Sequence, residues 1–279
     1  MKDFFTTKDP LEDIIGDTLT GQKIKSTKHV ISGWTNIVIE VATDKGEFFF
    51  RFPRNPFWSK MIIKDARFCN FIEGKTSFYT PSMQLHFHKD RPFSVHKKIE
   101  GYSLNNRIYN LSHTTLTATA YSVAKFIKEL SSIDLKDAPE EVKYPLSKFL
   151  HELDHRHYDT HLDDHHSYVR RTESAPRLVH GDLNPGNIIL NDKDEVIGII
   201  DFCFAGVSHP GMDISRIISR PTPDAFETEL LRAYKQLNNG HLSVARIRKM
   251  QRIWQDVDAG YADHIRKFYP EITLPEKIS

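Results

Sequence analysis

The sequence lacks the features that mark secreted, membrane and nucleic-acid-binding proteins. It has only two cysteines, Cys69 and Cys203, which cannot form a disulfide framework and favour a reducing compartment. No apolar run approaches the ~20 residues that span a bilayer, and the first residues are acidic where a signal peptide is apolar. The net charge is only +1, which argues against a broad electrostatic grip on nucleic acid. We therefore expect a cytoplasmic protein with no membrane or nucleic-acid partner.

The sequence does contain enough apolar residues for a large core. Of its 279 residues, 39% are hydrophobic and 27% are charged, which is typical of globular proteins and not of disordered chains. At roughly 100–200 residues per domain, this length predicts two domains. The strand and helix patterns place the boundary after residue 99, between a β-rich segment 1–99 and a helical segment 100–279.

The first segment is predicted to form strands around one helix. Its strand candidates are rich in β-branched and aromatic residues, and turn-forming residues lie at 43–46. Apolar residues at helical spacing predict a helix over 58–72. The predicted strands are 25–31, 37–41, 47–52, 83–87 and 93–99.

The second segment is predicted to be mainly helical. Apolar residues recur there at i, i+3 and i+4 spacing, and two short apolar strands flank a turn at 191–194. The predicted helices are 116–130, 144–158, 213–219, 223–237 and 243–268. The predicted fold class is therefore α+β, with a small β-sheet lobe and a larger helical lobe.

One motif in the second segment carries the chemistry. It has the form H-x-D-x-x-x-x-N with His180, Asp182 and Asn187, and continues through an apolar strand, a turn and a second strand to Asp201. Phosphoryl transfer needs a carboxylate that accepts the proton of an incoming hydroxyl, and oxygen ligands that hold Mg²⁺ on the phosphates. Because the strand pair returns Asp201 to the end where the loop begins, we predict Asp182 as proton acceptor and Asn187 and Asp201 as metal ligands.

The motif resembles that of the aminoglycoside phosphotransferase and choline kinase family, which are small-molecule kinases. The matching stretches are VHGDLNPGNIIL, IIDFCFAG and HPGMDIS. The resemblance implies a two-lobed protein-kinase-like fold, with Asp182 as catalytic base and Asn187 and Asp201 as Mg²⁺ ligands. It also implies that His180 props the loop and that Asp213 supports it through hydrogen bonds. A helix N-cap is the other interpretation of Asp213.

The resemblance further implies a cation on the nucleotide phosphates, paired with an acid on the helix of the small lobe. The lysine and glutamate of the family fall on Arg51 and Asp65, so both positions depart from the family pattern. A longer cation with a shorter anion would preserve the reach of the pair. A strand-edge charge at Arg51 and a solvated helix residue at Asp65 are the other interpretations, and Arg54 is the alternate cation.

The nucleotide is expected between a phosphate-covering loop and a hinge. The loop falls on 32–36, where Ser32 and Gly33 are the expected contacts although the loop has a single glycine. The hinge falls on 95–98, where the backbone of Val95 and Lys97 is expected to meet the purine. Backbone contacts leave little side-chain signature, so the sequence does not distinguish ATP from GTP.

A second metal motif lies in a histidine-rich stretch. Residues 151–155 match the H-E-x-x-H helix of zinc proteases, in which two histidines one turn apart bind the metal. The surrounding stretch is expected to be charged on all sides, and no third histidine follows at protease spacing. Because the chain has 15 histidines, a chance match is expected. We interpret the stretch as a surface helix; adventitious metal binding and a catalytic zinc are the alternatives.

The last predicted helix supplies candidates for the acceptor site. Asp256 and Asp263 are seven positions apart and share one face, with Trp254 and Asp258 nearby. In the resembling family, acidic residues of the helical lobe bind polycationic sugars, and aromatic residues join them in choline kinases. The other interpretation is an ordinary amphipathic helix with solvated acids.

The sequence therefore predicts a kinase that moves the γ-phosphoryl group of ATP or GTP, with Mg²⁺, to a hydroxyl of a small molecule. An aminoglycoside-like antibiotic is the first expectation for this acceptor, and a metabolic alcohol such as choline is the alternative. A nucleotide-binding pseudokinase, raised by the changes at Arg51 and Asp65, and a zinc hydrolase are rivals from other classes. We expect a monomer or a weak dimer.

Overall fold

The computed structural model of the protein describes residues 4–30, 35–157, 163–172, 176–239 and 243–268. No helix within these ranges combines the length and the apolar character needed to cross a membrane. Cys69 and Cys203 are free and buried.

The first lobe is built on a five-stranded antiparallel sheet with the strand order β1-β2-β3-β5-β4. The strands are β1 (Ile24–Val30), β2 (Asn36–Thr43), β3 (Gly46–Pro53), β4 (Gln84–His88) and β5 (Arg91–Lys97). Thr43 pairs with Gly46, so the predicted turn between the second and third strands is confirmed.

Alternation of side chains gives this sheet two different faces. Phe50 and Phe52 of β3 point to one face, where they share a core with α1 (Leu11–Thr18). Arg51, between them, therefore points to the opposite face. The sequence predicted a single helix in this lobe, and α1 is an additional one. It escaped prediction because it is eight residues long and follows Pro10 without a side-chain cap.

The predicted helix of this lobe is α2 (Pro56–Ile72). It begins slightly before the predicted start because Asn55 caps it, with its Oδ1 accepting the Trp58 N–H at 3.0 Å. Pro56 then fills a first-turn position, where a missing N–H costs little. The buried face of α2 carries Asp65 and Phe68.

The second lobe consists of helices around two small sheets. Its helices are α3 (His113–Ser132), α4 (Leu146–His157), α5 (Asp163–Thr172), α6 (Gly211–Ile218), α7 (Asp224–Leu237) and α8 (Val244–Phe268). Its strands are β6 (Tyr102–Ser103), β7 (Arg177–Val179), β8 (Ile188–Leu190), β9 (Val196–Ile199) and β10 (Gly206–Ser208). β8 pairs with both β6 and β9, and β7 pairs with β10. The sequence did not predict α5, which is polar, or the strands β6 and β10, which are two and three residues long.

The chain passes between the lobes at residues 98–101. β5 ends at Lys97 and β6 begins at Tyr102, so the predicted boundary after residue 99 falls in this link. Gly101 has a φ of +151°, and a Cβ there would collide with the carbonyl oxygen of Leu190 on β8. The crossing therefore requires glycine.

An apolar core joins the two lobes. Phe68 of α2 and Phe126 of α3 pack against Phe202, with ring centroids 5.6 and 6.4 Å away. All three rings are fully buried. Because Phe202 is held from two helices, the backbone of the neighbouring Asp201 has a fixed position.

We predict that Gly101→Ala destabilises the protein by more than about 1 kcal/mol, because alanine is strained at this φ and its methyl group meets a backbone oxygen. Gly16→Ala in α1 is the matched control: apart from its chain neighbours and the backbone of its own helix, no atom lies within 4 Å of the added methyl group. That variant should be more stable by about 0.5–1 kcal/mol. Urea unfolding followed by tryptophan fluorescence measures both. Equal stability of Gly101→Ala and the wild type contradicts the close crossing.

Candidate active site

His180 lies at the end of β7 and holds the loop that follows. Its ring is fully buried. Nε2 lies 2.9 Å from the carbonyl oxygen of Ile200, and Nδ1 accepts the backbone N–H of Asp182 at 3.2 Å. Burial lowers the pKa of the ring, so His180 is neutral with its proton on Nε2. His180 thus links the loop that carries Asp182 to Ile200, the residue before Asp201. A supporting role for His180 stays a prediction that agrees with this position.

Asp213 supports the same loop from α6. Its Oδ2 accepts the His180 N–H at 2.9 Å, and its Oδ1 accepts the Gly181 N–H at 2.8 Å. Burial raises the pKa of this carboxyl to about 7, while the two N–H donors act in the opposite direction. Because α6 begins at Gly211, Asp213 lies inside its first turn, and the interpretation of Asp213 as an N-cap is wrong.

Asp182, Asn187 and Asp201 lie at one end of the β8–β9 hairpin. The Asn187 side-chain Nδ2 donates to the backbone oxygen of Asp182 at 2.9 Å. The Ile200 N–H donates to the backbone oxygen of Asn187 at 3.0 Å. Asp201 follows directly and has a left-handed φ of 65°, which residues other than glycine rarely adopt. The hairpin thus brings the three predicted residues together.

The oxygen atoms of this cluster suit Mg²⁺. Because Asn187 uses its amide nitrogen to hold Asp182, its Oδ1 can serve as a ligand. The side chain of Asp201 is 45% exposed and contacts Arg51 through Oδ1, which leaves Oδ2 for a metal ion. Within the described residues, no group of three or more His, Cys, Asp or Glu side chains forms a metal site. A bound Mg²⁺ commonly takes one or two protein oxygens and completes its shell with phosphate oxygens and water, which suits the two oxygens offered by Asn187 and Asp201.

Arg51 connects the sheet to this cluster. Its Nη1 lies 2.6 Å from Oδ2 of the fully buried Asp65, and its Nη2 lies 3.0 Å from Oδ1 of Asp201. Burial alone would lower the pKa of Arg51, but the two carboxylates raise it, so the guanidinium is charged. The predicted ion pair forms with arginine and aspartate in place of lysine and glutamate. The interpretations of Arg51 as a strand-edge charge and of Asp65 as a solvated residue are wrong.

The structure shows the surroundings of some, but not all, of the residues predicted to contact the nucleotide. Val95 pairs with Phe50 on one side and Gln84 on the other, and its side chain is in the core. Its backbone therefore lies between two strands and cannot meet a purine, so the prediction for Val95 is wrong. Lys97 lies past the end of β4 and is exposed, and it stays a prediction. The phosphate-covering residues 32–33 lie outside the described residues.

Arg216 of α6 is a site residue that sequence reasoning missed. Its Nε donates to Oδ1 of Asp182 and its Nη1 to Oδ2 of Asp258, each at 2.7 Å. Burial alone would lower the pKa of Arg216, but the two carboxylates raise it, so this guanidinium is also charged. A signal was available: Arg216 lies three residues after Asp213, in a short helix whose other residues are apolar except for Ser215. A charged residue in such a place is rarely buried without a partner.

A family comparison decides the class of the protein. The profile described as the phosphotransferase enzyme family matches residues 26–247, which is more than half of the chain. The chain belongs to the phosphotransferase enzyme family. A comparison with curated proteins found no significant sequence match.

Solved structures of other phosphotransferases are similar to this family member. The GDP and kanamycin complex of APH(2")-IIIa has a TM-score of 0.73 and 20% sequence identity, over 94% of each chain. Macrolide 2'-phosphotransferase MphH from Brachybacterium faecium has a TM-score of 0.65 and 16% identity, over 96% of this chain and 99% of that chain. The predicted two-lobed, protein-kinase-like α+β fold is thereby confirmed. The predicted enzyme class, a small-molecule kinase, is confirmed at the level of the family.

Two residues predicted to bind the acceptor have other surroundings in this phosphotransferase. Trp254 is fully buried, and its Nε1 donates to a backbone oxygen of α6 at 3.1 Å. Asp258 is also buried, and its oxygens accept hydrogen bonds from Arg216 and Arg220. A core indole and a carboxylate paired with two arginines cannot receive an acceptor, so both predictions are wrong.

The other two acceptor candidates stay predictions. Asp256 is exposed on α8, where it can face solvent or a bound molecule. Asp263 lies on the same helix, but its side chain lies outside the described part of the structure.

The H-E-x-x-H stretch of this phosphotransferase lies on α4. His151 is exposed, Glu152 lies 3.4 Å from Lys60, and the side chain of His155 lies outside the described residues. The expectation that the stretch is charged on all sides is wrong, because α4 has an apolar inner face. That face consists of Leu146, Phe149, Leu150 and Leu153. A buried apolar face opposite a polar one makes α4 an amphipathic surface helix.

We predict that His180 contributes to the acid sensitivity of the phosphotransferase. Because its folded-state pKa is below the ordinary value of 6.5, the unfolded chain takes up a proton that the folded protein does not. The stability that the neutral His180 ring contributes is therefore complete above about pH 6.5. As the pH falls below that value, the free energy of unfolding decreases by at most about 1.4 kcal/mol per pH unit. Urea unfolding between about pH 7 and pH 5 should give a shallower pH slope for His180→Asn than for the wild type. Identical slopes contradict the prediction.

Proposed function

We propose that the protein transfers the γ-phosphoryl group of a nucleoside triphosphate to a hydroxyl group of a small molecule, in a reaction that requires Mg²⁺. The observation that carries the proposal is the hydrogen-bonded link from Asp182 through Asn187 to Ile200, which sets one carboxylate and two oxygen ligands at one end of the hairpin. Membership of the phosphotransferase enzyme family supports the same reaction class.

Asp182 is the proposed catalytic base. Its carboxylate accepts the proton of the acceptor hydroxyl as the new O–P bond forms. The bond between the γ-phosphorus and the oxygen that bridges to the β-phosphate breaks, and the nucleoside diphosphate leaves with that oxygen. The side chain of Asp182 is 20% exposed, which leaves room for an acceptor to approach.

Asn187 and Asp201 are the proposed Mg²⁺ ligands, and Arg51 is the proposed phosphate contact. A bound Mg²⁺ would neutralise charge on the phosphates and on the leaving group. Arg51 touches Asp201, so its guanidinium would lie beside the same phosphates and could donate to them an N–H group that the two carboxylates do not use. Its pairing with the buried Asp65 sets its direction and favours an active kinase over a pseudokinase.

ATP or GTP is the proposed donor. The similar structures include complexes with GDP, ADP and ATP, so the shared fold holds adenine and guanine nucleotides in those proteins. The open strand edge at Lys97 is the proposed contact for the purine, through backbone groups.

An aminoglycoside-like compound is the first acceptor that we propose. The similar structures include complexes with kanamycin and gentamicin, and the exposed Asp256 offers a negative charge to an amine. Such an activity would inactivate an antibiotic in the cytoplasm, where nucleoside triphosphates are available. A metabolic alcohol such as choline is the second candidate. It is favoured by the pairing of Asp258 with two arginines, which removes one of the predicted acids from the wall that a polyamine needs.

We predict that the protein consumes ATP or GTP faster when Mg²⁺ and a suitable hydroxylated acceptor are present. A thermal-shift screen with a non-hydrolysable nucleotide finds acceptors among aminoglycosides, macrolides, choline and other alcohols. A coupled assay for nucleoside diphosphate then measures turnover, and mass spectrometry identifies the phosphorylated product. Chelation by EDTA should abolish turnover. If no nucleotide is consumed with any acceptor in the presence of Mg²⁺, the proposed function fails.

We predict that Asp182→Ala lowers kcat at least about 10²-fold and retains nucleotide binding, because it removes only the proton acceptor. Asp201→Ala should also weaken binding of Mg²⁺-nucleotide, because it removes a metal ligand. Asp192→Ala, in the exposed turn between β8 and β9, is the matched control and should retain wild-type activity. Steady-state kinetics and nucleotide titration by calorimetry measure these effects. Full activity of Asp182→Ala would exclude the mechanism.

A further inference from the structure

Four charged side chains form a continuous chain beside the proposed base. In order they are Asp182, Arg216, Asp258 and Arg220. Arg216 contacts both acids at 2.7 Å, and Nη2 of Arg220 lies 3.0 Å from Oδ1 of Asp258. The signs alternate along the chain and cancel in sum. One carboxylate oxygen of Asp182 is therefore held by Arg216, and Arg216 is held in turn by Asp258.

Arg216 has little freedom to move. Its side chain is only 3% exposed. Its guanidinium carbon lies 4.8 Å from the centre of the Trp254 ring, and Trp254 donates to the backbone oxygen of Met212. Asp258 holds Nη1 at the same time. Since separating a buried guanidinium from its acidic partners is strongly unfavourable, the direction of the contact from Nε to Asp182 is well defined.

We propose that Arg216 is a positioning residue for phosphoryl transfer: it holds Oδ1 of Asp182, so that Oδ2 is the oxygen that receives the proton of the acceptor hydroxyl. This inference rests on the proposed function and goes beyond it. It gives new roles to Trp254 and Asp258, which fix Arg216 and do not touch the acceptor.

The arrangement is compatible with both protonation states of the base. When Oδ2 gains the proton, Oδ1 remains a carbonyl oxygen and can still accept the hydrogen bond from Arg216. Asp258 keeps Arg216 paired in that state, so no buried charge is left without a partner. The base can therefore take up and release its proton without rearrangement of the side chains behind it.

The test compares Arg216→Ala and Arg216→Lys with matched controls. Arg220→Ala removes the other arginine of the chain, which pairs with Asp258 and has no hydrogen bond to Asp182. Arg232→Ala removes an exposed arginine on α7. Turnover of Mg²⁺-ATP or Mg²⁺-GTP is measured with the best acceptor of the screen, or with water as acceptor where the screen finds none. The melting temperature of every variant is measured in parallel.

We expect Arg216→Ala to lower kcat about 10²-fold, the loss that a displacement of about 1 Å in a reacting group can cause. The KM for the nucleotide should change little, because Arg216 does not touch Asn187, Asp201 or Arg51. Arg216→Lys should recover part of kcat, and millimolar guanidinium should restore part of the activity of Arg216→Ala but none of Asp182→Ala. Arg220→Ala should lose much less activity, and Arg232→Ala none.

A folded Arg216→Ala protein with unchanged or higher kcat overturns the inference. So does an activity loss that follows melting temperature alone, without rescue by lysine or guanidinium, or an equal loss in Arg220→Ala. If Arg216→Ala does not fold, the inference is tested with Arg216→Lys and Asp258→Asn instead. An unchanged kcat in both of these variants then overturns it. If the wild type shows no Mg²⁺-dependent turnover, the proposed function itself is wrong. If the wild type is active and the Arg216 variants are equally active, only the inference about Arg216 is wrong.

Discussion

The carboxylate of Asp213 accepts the N–H groups of two consecutive residues, His180 and Gly181, and the active site is built outward from that contact. A buried N–H without an acceptor costs about 1–3 kcal/mol, so the loop has one strongly favoured path. His180 then binds the backbone of Ile200, and the Asn187 side chain binds the backbone of Asp182. The path of the loop is thus set mainly by hydrogen bonds to its backbone, which leave the side-chain oxygens of Asp182, Asn187 and Asp201 for other contacts.

The two buried arginines of the site follow the same physical rule. Arg51 lies between Asp65, which is fully buried, and Asp201, whose side chain is 45% exposed. Arg216 lies between Asp258, whose side chain is 9% exposed, and Asp182, whose side chain is 20% exposed. In each case the deeper acid holds the guanidinium in place, because separating a buried pair is costly. The more exposed acid therefore meets a cation of fixed position, one supplied by each lobe.

The sequence predicted two kinds of feature in the site: contacts between residues that are close along the chain, and the direction of a side chain on a strand, which alternates from residue to residue. The β8–β9 hairpin brings Asn187 to Asp201, and alternation on β3 turns Arg51 away from the apolar face. The contact between Arg216 and Asp258 joins residues 42 positions apart on two helices. Helical periodicity tells which residues share a face, but not which helix that face meets. For the same reason the burial of Trp254 followed from packing between α6 and α8 and not from its residue type.

The ring of Phe202 lies where side chains from both lobes meet, between Phe68 of α2 and Phe126 of α3. A fragment that ended at residue 99 would leave the α2 side of this stack open to water, and a fragment that began at residue 100 would leave Phe202 half covered. The first lobe keeps one apolar cluster of its own, whereas the larger cluster takes residues from both lobes. Because the larger apolar cluster spans both lobes, a cut at the link would expose part of it on either side, and we expect the two lobes to unfold as one cooperative unit.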